Sequence, residues 1–425
     1  MPVVGASRGF CVGRMRSVLD GEVAVLPCCT NVRWPWDLYN GGLPWRGGEV
    51  LVVSSRGNFL SYRRPDAAPC GRLLQFQSLD KPEESRDVVV YRGRGTVLLL
   101  VLAMVAALAG CTSHRPGTAS AARAVAQQLA RSGATSVIVF VSDHGHSTVA
   151  TAGTRRPAAG QRFLAGSVTK TFTATLVFQL VEQKRIGLDD PVGRYLPGVI
   201  PAGGKITIRE LLQHTSGLAD YTAYSSWMDR AGRSPFIRPI DVLRFAASQP
   251  LVFAPGSEWE YSSTNYIALG LVIEKVTGHP FGQELQQSIF KPLALSRTEL
   301  ATTRRLPGLY EGVNPNLPWA AGAIVSDAQD LARFFSALLS GHLVSQASLA
   351  KMMQTVPGSL GIFSQDGLGI FATSLPCGRF WGHPGGILDY GTLVAASSNG
   401  ARVVVISIRG PIRETPDESA LFCPS

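Results

Sequence analysis

The sequence lacks a lysine-rich block and lacks a helix-like stretch of clustered basic residues. Its 425 residues carry 40 lysines and arginines against 30 aspartates and glutamates, and the net charge of +10 comes mainly from arginines spread along the chain. Dispersed positive charge is typical of a solvated surface, whereas nucleic-acid-binding proteins concentrate it on one face. The pattern therefore excludes nucleic acid as an expected partner. With 45% hydrophobic residues, the chain also departs from the composition of a disordered protein.

The sequence also lacks an apolar run long enough to cross a bilayer. Its longest apolar stretch, residues 96–110, has about fifteen residues where a spanning helix needs roughly twenty. Arginines precede it, as in a signal segment. The following Leu-Ala-Gly-Cys at 108–111 resembles the lipobox of bacterial lipoproteins, which implies cleavage before Cys111 and a lipid anchor on its sulfur at the outer face of the cytoplasmic membrane. A single uncleaved N-terminal membrane anchor is the alternative, and both place the later residues in the cell envelope.

Residues 1–90 show no sustained helical or strand periodicity, although they hold four of the seven cysteines. We expect no recognisable domain in them. Because a signal segment should stand first in its protein, our hypothesis is that translation starts near residues 88–90 and that the upstream stretch is a mis-called extension. The signal segment and lipobox then occupy residues 91–111, a small polar tether occupies 112–120, and the folded domain occupies 121–425.

A serine stands three residues before a lysine in the segment Ser167-Val168-Thr169-Lys170. On a helix these two side chains share one face, and an amine within hydrogen-bond reach can take the proton of a serine hydroxyl as it attacks a carbonyl. Taken alone, the pair indicates no more than a serine that caps a helix. Two further elements follow, Tyr261-Ser262-Ser263 and His383-Pro384-Gly385. Three elements in this order resemble those of serine β-lactamases and penicillin-binding proteins, and the resemblance implies acyl-transfer chemistry.

The secondary-structure pattern predicts strands at both ends of the domain around a mostly helical middle. Helices are expected at 121–131 and 171–183 and through most of 189–350, and a short helix at the C-terminus. Strands are expected at 136–142, 148–153, 367–374, 391–397 and 402–408. Strands from the two ends should pair into one sheet.

These motifs give residues 121–425 a resemblance to a known family. The chain is similar to serine hydrolases of the class C β-lactamase and D-alanyl-D-alanine carboxypeptidase (penicillin-binding protein) family. The segments LLQHTSGL at 211–218, IFKPL at 289–293 and AGAIVS at 321–326 resemble recurring segments of that family. The resemblance implies an α+β fold of the serine β-lactamase and penicillin-binding-protein type, with an antiparallel sheet flanked by helices and a mostly helical insertion.

The resemblance also implies catalytic roles. Ser167 is the implied nucleophile, and Lys170 is the neighbouring base or proton relay. A phenol beside an ammonium is favoured as phenolate, so Tyr261 is the alternative base toward Ser167 or the leaving group, and the choice stays open. The backbone amides of Ser167 and Gly386 are the implied oxyanion hole. Gly385 is expected to leave room for a substrate strand along the sheet edge.

Two positions depart from the family pattern. Ser263 stands where the family commonly has a substrate-binding asparagine, and Asn265 nearby is either a second substrate contact or a structural turn residue. His383 holds a catalytic position that is lysine in many β-lactamases, so a permanent positive charge is missing at neutral pH. The loss should weaken binding of a substrate carboxylate, which favours peptidase-like or esterase-like activity over efficient β-lactam hydrolysis.

Several other residues have competing interpretations. His144 and His146 flank a glycine at a predicted turn, and without a third ligand in view we expect no metal there. No organic cofactor is implied. His214 is expected to have a structural loop role, whereas Tyr221 and Trp319 either line the substrate cleft or pack in the core.

Lipidation would use one of the three cysteines from residue 111 onward. Cys377 and Cys423 remain, and they either form a disulfide in an oxidising envelope or stay as thiols. A bridge would close a loop of about 45 residues, and the chain-entropy estimate of its effect on stability is roughly 3 to 4 kcal/mol.

We therefore expect an exported serine hydrolase that uses a Ser-Lys-Tyr site through an acyl-enzyme. Its substrate would be a small-molecule or peptide acyl compound, namely a cell-wall peptide, a β-lactam or an ester, with D,D-peptidase-like or esterase-like activity and weak β-lactam hydrolysis. The alternative is a catalytically weak or inactive protein that binds envelope peptides or acyl compounds.

Overall fold

A computed structural model describes residues 117–301, 314–413 and 419–423, together with five short strands before residue 79. The segment predicted to hold the signal and the lipobox, residues 91–111, lies outside the described residues. Within the described part of the chain, no helix has the length and apolar character needed to cross a membrane. The chain divides into two compact units, residues 1–108 and 109–425.

The described residues of the first unit form two small antiparallel sheets. Their strands are β1 (Val12–Arg16), β2 (Val23–Pro27), β3 (Val50–Val53), β4 (Phe59–Tyr62) and β5 (Gln77–Ser78). β1 pairs with β2, and β4 pairs with β3 on one side and β5 on the other. Valine, leucine and aromatic residues in these segments favour extended backbone. That residues 1–90 hold no recognisable domain stays a prediction.

The second unit is built on an eight-stranded antiparallel sheet with the order β11-β12-β13-β14-β15-β16-β6-β7. Its strands are, in chain order, β6 (Ser136–Asp143), β7 (His146–Ala152), β8 (Phe163–Leu164), β9 (Glu299–Leu300), β10 (Ile324–Ser326), β11 (Val356–Leu360), β12 (Phe363–Asp366), β13 (Phe371–Leu375), β14 (Gly378–Ile387), β15 (Tyr390–Ser397) and β16 (Arg402–Arg409). A second sheet has three strands in the order β8-β10-β9.

The two ends of the domain meet in the large sheet. β16 pairs antiparallel with β6 along its whole length, with Arg402 opposite Asp143 and Arg409 opposite Ser136. The α+β prediction, with terminal strands joined around a helical insertion, is therefore confirmed.

Most helices of the unit lie between the two groups of strands. They are α1 (Thr118–Arg131), α2 (Thr169–Glu182), α3 (Ile208–Leu212), α4 (Ser225–Arg233), α5 (Pro239–Ala247), α6 (Thr264–Thr277), α7 (Phe281–Leu285), α8 (Trp319–Gly322), α9 (Ala328–Leu339), α10 (Gln346–Met352) and α11 (Ser419–Phe422). Local capping defines several of their ends. In α3, for example, the Thr207 hydroxyl and the Glu210 carboxylate each accept a backbone N–H of the other residue, which forms a capping box.

The N-terminal boundary of the domain differs from the prediction. Residues 118–120, assigned to the tether from the sequence, are the first turn of α1, because the Gly117 carbonyl accepts the N–H groups of Ser120 and Ala121. The helix then buries one apolar face against the sheet, formed by Ala121, Ala122, Val125, Ala126 and Leu129. The tether prediction is therefore too long by three residues at its C-terminal end.

The predicted hairpin after α1 is present, with a tighter turn than expected. Its two turn residues, His144 and Gly145, have φ values of 47° and 84°, the left-handed backbone of a type I′ turn. A two-residue turn leaves β7 beginning at His146, two residues before the predicted start. The Nδ1 atom of exposed His144 is 2.8 Å from an Asp143 carboxylate oxygen.

Alternation along β6 separates two apolar cores. Val137, Val139 and Val141 face the core under α1, while Ile138 and Phe140 face the larger core formed with the helical region. The larger core includes the apolar residues of α2, whose residues from Thr169 to Phe178 are all buried. The functional motifs lie on this helical side of the sheet.

The strands predicted from the sequence pattern did not include β14, which carries His383. Its segment contains four glycines and Pro384, all of which disfavour strands. The structure accommodates the proline because β13 pairs with β14 only as far as Gly382, so Pro384 lies where β14 has one neighbour, β15. The second half of β14 is therefore an open sheet edge.

Cys377 and Cys423 form a disulfide whose Cα atoms are 5.4 Å apart. The bridge joins the turn between β13 and β14 to the end of α11. It fixes the C-terminus beside the strand that enters the functional region.

Candidate active site

Ser167 lies in a single turn of 3-10 helix, Gly166–Val168, directly before α2. The sequence placed this serine at the start of the α-helix itself, and the structure shifts the α-helical start to Thr169. Gly166 adopts a left-handed φ of +56°, and a Cβ there would lie 3.0 Å from the Gly386 nitrogen. Glycine therefore allows both the sharp turn and its close approach to β14.

Lys170 is the second residue of α2 and is completely buried. Burial lowers the pKa of its ammonium from 10.5 to about 7, and the Asp220 carboxylate opposes part of this shift. Desolvation is the larger effect, because removing an ammonium from water disfavours the charged form. Near neutral pH a large share of Lys170 is therefore the free amine, which is the form able to accept a proton.

The contacts of Lys170 fit a neutral amine. Nζ lies 3.0 Å from Ser167 Oγ, 2.8 Å from the Ala321 carbonyl oxygen and 3.4 Å from Ser263 Oγ. A neutral amine has two N–H groups, which serve Ala321 and Ser263, and one lone pair, which accepts the Ser167 hydroxyl. This arrangement prepares Ser167 to lose its proton as it attacks.

Tyr261 is half-buried beside this pair, with its Oη atom buried and with Lys170 Nζ 5.0 Å from its ring centre. Burial raises the pKa of its phenol well above the usual value, and the neighbouring Ser167 hydroxyl offsets only part of that rise. The contact with Ser167 falls short of hydrogen-bond geometry, and Tyr261 Oη has no hydrogen-bond partner among the described residues. A phenol that keeps its proton is a proton donor. Desolvation thus outweighs the expected ammonium effect, and the structure favours Lys170 over Tyr261 as the base.

His383 does not reach the cleft. Its ring is completely buried, with its centre 5.1 Å from that of Phe371, and its Nδ1 donates to the Pro384 carbonyl oxygen at 2.5 Å. Burial lowers the pKa of His383 to about 3, with Lys170 adding to the shift, so the imidazole is neutral. The expectation that His383 supplies no positive charge fits this geometry. Its assignment as a catalytic group is not supported, because the ring packs beneath the strand.

Two assignments made from the sequence need correction. Asn265 is completely buried, with Oδ1 accepting the Ser216 hydroxyl at 2.6 Å and Nδ2 lying 3.3 Å from His214 Nδ1, so it holds a loop and does not face substrate. Gly385 does not leave room for substrate, because a Cβ on it would lie 2.1 Å from the Ala165 carbonyl oxygen. The missing side chain lets the turn that carries Ser167 pack against β14.

The cleft above Ser167 has a volume of about 430 Å³. Ser263 and Gly386 line it together with Ser167, and a Cβ on Gly386 would meet nothing within 4 Å. The backbone at Ser167 and Gly386 therefore borders one open space, as an oxyanion site requires. Tyr221 lines the cleft and donates its hydroxyl to the Leu317 carbonyl at 3.0 Å.

Tyr221 and Trp319, the two aromatic residues considered for the cleft, have different roles. Tyr221 is a cleft residue, whereas Trp319 is buried and packs edge-on against Phe281, with ring centres 5.1 Å apart. Trp319 is therefore a packing residue.

Sequence reasoning missed the charged wall of the cleft. Asp229 and Arg233 are exposed, four residues apart on α4, and both line the cleft, as does the half-buried Met228. No ion pair joins them to each other or to another described residue. An acidic and a basic residue one helical turn apart were the available signal, but the sequence did not show that this face of α4 meets Ser167.

Within the described ranges, no three histidines, cysteines or acidic residues are grouped closely enough to hold a metal ion.

Comparison with known proteins places this geometry in a family. The family described as beta-lactamase matches residues 121–420. A Bacillus subtilis (strain 168) protein named penicillin-binding protein PbpX is 31% identical over 258 residues, which cover 57% of this chain and 61% of that protein. The esterase EstB of Burkholderia gladioli is 41% identical over 145 residues, which cover 31% of this chain and 37% of the esterase. The chain thus spans about three fifths or less of these two relatives.

A solved structure extends the comparison to three dimensions. The D-stereospecific amidohydrolase of a Streptomyces species has a TM-score of 0.67 and 32% identity, covering 72% of this chain and 99% of that one. The D-amino acid amidase of Ochrobactrum anthropi SV3 has a TM-score of 0.64 at 21% identity, covering 71% of this chain and 94% of that one, and shows the shared fold. The Ser167-Lys170 pair lies within this matched span of 300 residues, and the match shows that the chain belongs to the beta-lactamase family.

Proposed function

We propose that this protein is an exported acyl hydrolase that forms an acyl-enzyme on Ser167 and acts on short peptides, amides or esters. One observation carries the proposal: the buried amine of Lys170, with a pKa near 7, lies 3.0 Å from Ser167 Oγ at the base of the cleft. An amine in this state accepts the serine proton at neutral pH, which is the condition for nucleophilic attack.

The proposed reaction has two halves. Ser167 Oγ attacks the substrate carbonyl carbon, its proton passes to Lys170, and the backbone amides of Ser167 and Gly386 stabilise the oxyanion. Tyr261, which keeps its proton, then donates to the leaving amine or alcohol as the tetrahedral intermediate collapses. Lys170 then passes its proton to the Tyr261 phenolate. In the second half, water attacks the ester on Ser167 and gives a proton to Lys170. Lys170 returns this proton to Ser167 Oγ as the product acid leaves, which restores both side chains.

The cleft wall supports a choice of substrate. Lys170 is committed to Ser167, and His383 is neutral and buried, so Arg233 is the permanent cation among the described residues that line the cleft. A substrate carboxylate is therefore expected to bind at α4, where Arg233 offers a planar guanidinium. Asp229 on the same wall favours a substrate ammonium. A short peptide with charged ends fits this wall better than a neutral ester.

Stereochemistry follows from a relative. The Streptomyces protein that aligns over 99% of its chain is a D-stereospecific amidohydrolase. We therefore propose that D-configured acyl groups are preferred here, which agrees with D,D-peptidase-like activity and with weak β-lactam hydrolysis.

A second candidate is a binding protein with little or no turnover. Ser263 favours it, because a serine hydroxyl is shorter than the asparagine amide common at this position and offers fewer hydrogen bonds to a substrate amide. Its 3.4 Å contact with Lys170 also occupies part of its capacity.

Intact-protein mass spectrometry with benzylpenicillin separates these candidates. The full-length protein and Ser167→Ala are followed over time while the drug is assayed in parallel. A lasting adduct of the whole drug, absent from Ser167→Ala, is the expected result. Consumed drug without an adduct indicates efficient β-lactam hydrolysis.

A peptide substrate supplies the decisive arm. Hydrolysis of a D-alanyl-D-alanine dipeptide and of D-phenylalanine amide is compared with that of the L-isomers. Neither an adduct nor turnover of any isomer by the wild type overturns the hydrolase proposal and leaves the binding protein.

Export and anchoring are a separate proposal. It is supported by the signal-like segment at residues 91–111 and by the disulfide between Cys377 and Cys423, which suits an oxidising compartment. Fractionation of cells that make the wild type and Cys111→Ser tests it. Release of Cys111→Ser from a membrane fraction that retains the wild type is expected, and equal retention of both contradicts the lipid anchor.

A further inference from the structure

The position of the Tyr261 hydroxyl is not fixed by a hydrogen bond. Its Oη atom is buried and has no hydrogen-bond partner among the described residues. A proton donor must nevertheless lie within a few tenths of an ångström of its productive position. The position of the phenol must therefore come from its backbone and from the rings packed on it.

His214 bonds to the backbone on both sides of Tyr261. The N–H of Glu260 donates to the His214 carbonyl oxygen at 3.1 Å. The N–H of Ser262 donates to His214 Nδ1, also at 3.1 Å. The residues on either side of Tyr261 are thus both bonded to His214, which precedes Tyr261 by 47 positions in the sequence.

The His214 ring also lies against the tyrosine ring. The two ring centres are 4.3 Å apart with the planes tilted by 33°. Phe371 limits Tyr261 from another direction, with ring centres 6.4 Å apart. Aromatic packing at these distances restricts rotation of the phenol without bonding to its hydroxyl.

A hydrogen-bond relay fixes the tautomer of His214. The Ser216 hydroxyl donates to Asn265 Oδ1, which leaves the Asn265 amide nitrogen to donate toward His214 Nδ1. Nδ1 is therefore the acceptor, and the ring proton is on Nε2. Nε2 is buried without a hydrogen-bond partner in the part of the chain that the structure describes, and His214 has a left-handed φ of 56°. Both features oppose folding, so their presence indicates a role that folding alone does not require.

We propose that His214 is the positioning residue for Tyr261 through its bonds to Glu260 and Ser262. The inference rests on the proposed function, since it assigns Tyr261 as the proton donor of that reaction. His214 is completely buried and is not among the residues that line the cleft, so its proposed role is to act through Tyr261.

Two substitutions at His214 distinguish the effect of its Nδ1 hydrogen bond from the effect of its ring. His214→Asn keeps an acceptor at the position of Nδ1 and tolerates the left-handed backbone, whereas His214→Phe keeps a ring and removes the acceptor. Tyr266→Phe is the matched control. Tyr266 lies in the same core, with its ring centre 5.4 Å from that of His214, but its hydroxyl bonds to Leu212 and not to the segment around Tyr261.

We expect His214→Phe to lower kcat about 100-fold, with KM little changed, because a misplaced donor affects the transition state more than substrate binding. His214→Asn should recover most of the wild-type kcat. Tyr266→Phe should lower the melting temperature without this loss of kcat. The inference is overturned if His214→Phe loses no more activity than Tyr266→Phe, or if His214→Asn is as inactive as His214→Phe.

Hydrogen exchange keeps the test independent of activity. In the full-length protein, His214→Phe should speed exchange of the Ser262 amide, read from a peptide covering residues 260–263, whereas His214→Asn and Tyr266→Phe should not. Wild-type protein without Ser167-dependent turnover would remove the proposed function alone. Unchanged exchange at Ser262 in His214→Phe would remove the positioning role alone.

Discussion

The two sides of the active site are held in different ways. On the lysine side, formed by Ser167, Lys170, Ser263 and Ala321, every hydrogen-bonding position of the amine is used. The tyrosine side is formed by His214, Trp259, Tyr261, Phe371 and His383. There, aromatic rings pack around polar atoms that have no hydrogen-bond partner among the described residues. Those atoms are His214 Nε2, Tyr261 Oη and His383 Nε2.

The difference teaches how one buried site sets two opposite proton affinities. Burial disfavours charge in both places, so it lowers the pKa of Lys170 toward neutrality and raises that of Tyr261. The same physical effect produces a base on one side and a proton donor on the other. Direct bonds hold the base, while packing and backbone bonds hold the donor.

Removal of the amine should have the largest effect on this comparison. Lys170→Ala leaves Ser167 without a base, and acylation should slow by about 1,000-fold or more. Stopped-flow release of p-nitrophenol from an activated ester measures the step, with circular dichroism to confirm the fold. Acylation at the wild-type rate would mean that the tyrosine side supplies the base.

Gly385→Ala should have the next largest effect. The added Cβ would meet the Ala165 carbonyl oxygen, which is backbone and cannot move without displacing the turn that holds Ser167. A displacement near 1 Å predicts a loss of about 100-fold in kcat/KM. Gly204→Ala is the control, since a Cβ there meets nothing within 4 Å. Full activity of Gly385→Ala would show that the turn tolerates the shift.

The pH profile should distinguish the two sides. Lys170 must be deprotonated to act, so acylation should rise with pH through about 7 and fall about tenfold per pH unit below it. The pKa of His383 is about 3 and that of Tyr261 is raised, so neither side chain should add a limb between about pH 5 and about pH 9. Steady-state kcat/KM across this range measures it. An extra limb in the range of histidine would contradict a neutral His383.

Arg233→Glu should have the smallest effect, because Arg233 belongs to neither the lysine side nor the tyrosine side of the site. An exposed ion pair contributes up to about 1 kcal/mol, so kcat/KM for a dipeptide with a free carboxylate should fall about fivefold. The corresponding dipeptide amide should be little affected. Arg230→Glu provides the control, since Arg230 is exposed on the same helix but does not line the cleft. Equal losses with both substrates would remove Arg233 as a carboxylate-binding residue.

Local motifs predicted the parts of the site that are close in sequence. The spacing of Ser167 and Lys170 places the two side chains together because three residues make about one helical turn. Runs of β-branched and aromatic residues likewise predicted β6, β15 and β16, whose residues are mostly buried.

Long-range contacts explain what the sequence did not predict. The relay from Ser216 through Asn265 to His214 joins residues 49 and 51 positions apart, and no local pattern encodes it. β14 was missed because its glycines and proline are unfavourable in strands, and pairing with β13 and β15 makes it one. The role of Gly385 depends on Ala165, which approaches from another element.

The disulfide makes part of this domain a covalent ring. Cys377 and Cys423 are 46 positions apart, and β14, β15 and β16 all lie between them. A protease that cuts once within the ring adds one water to the mass of the protein and releases no fragment until a reductant is added. The open edge of β14 beside Ser167 therefore belongs to a segment that stays attached at both ends after such a cut.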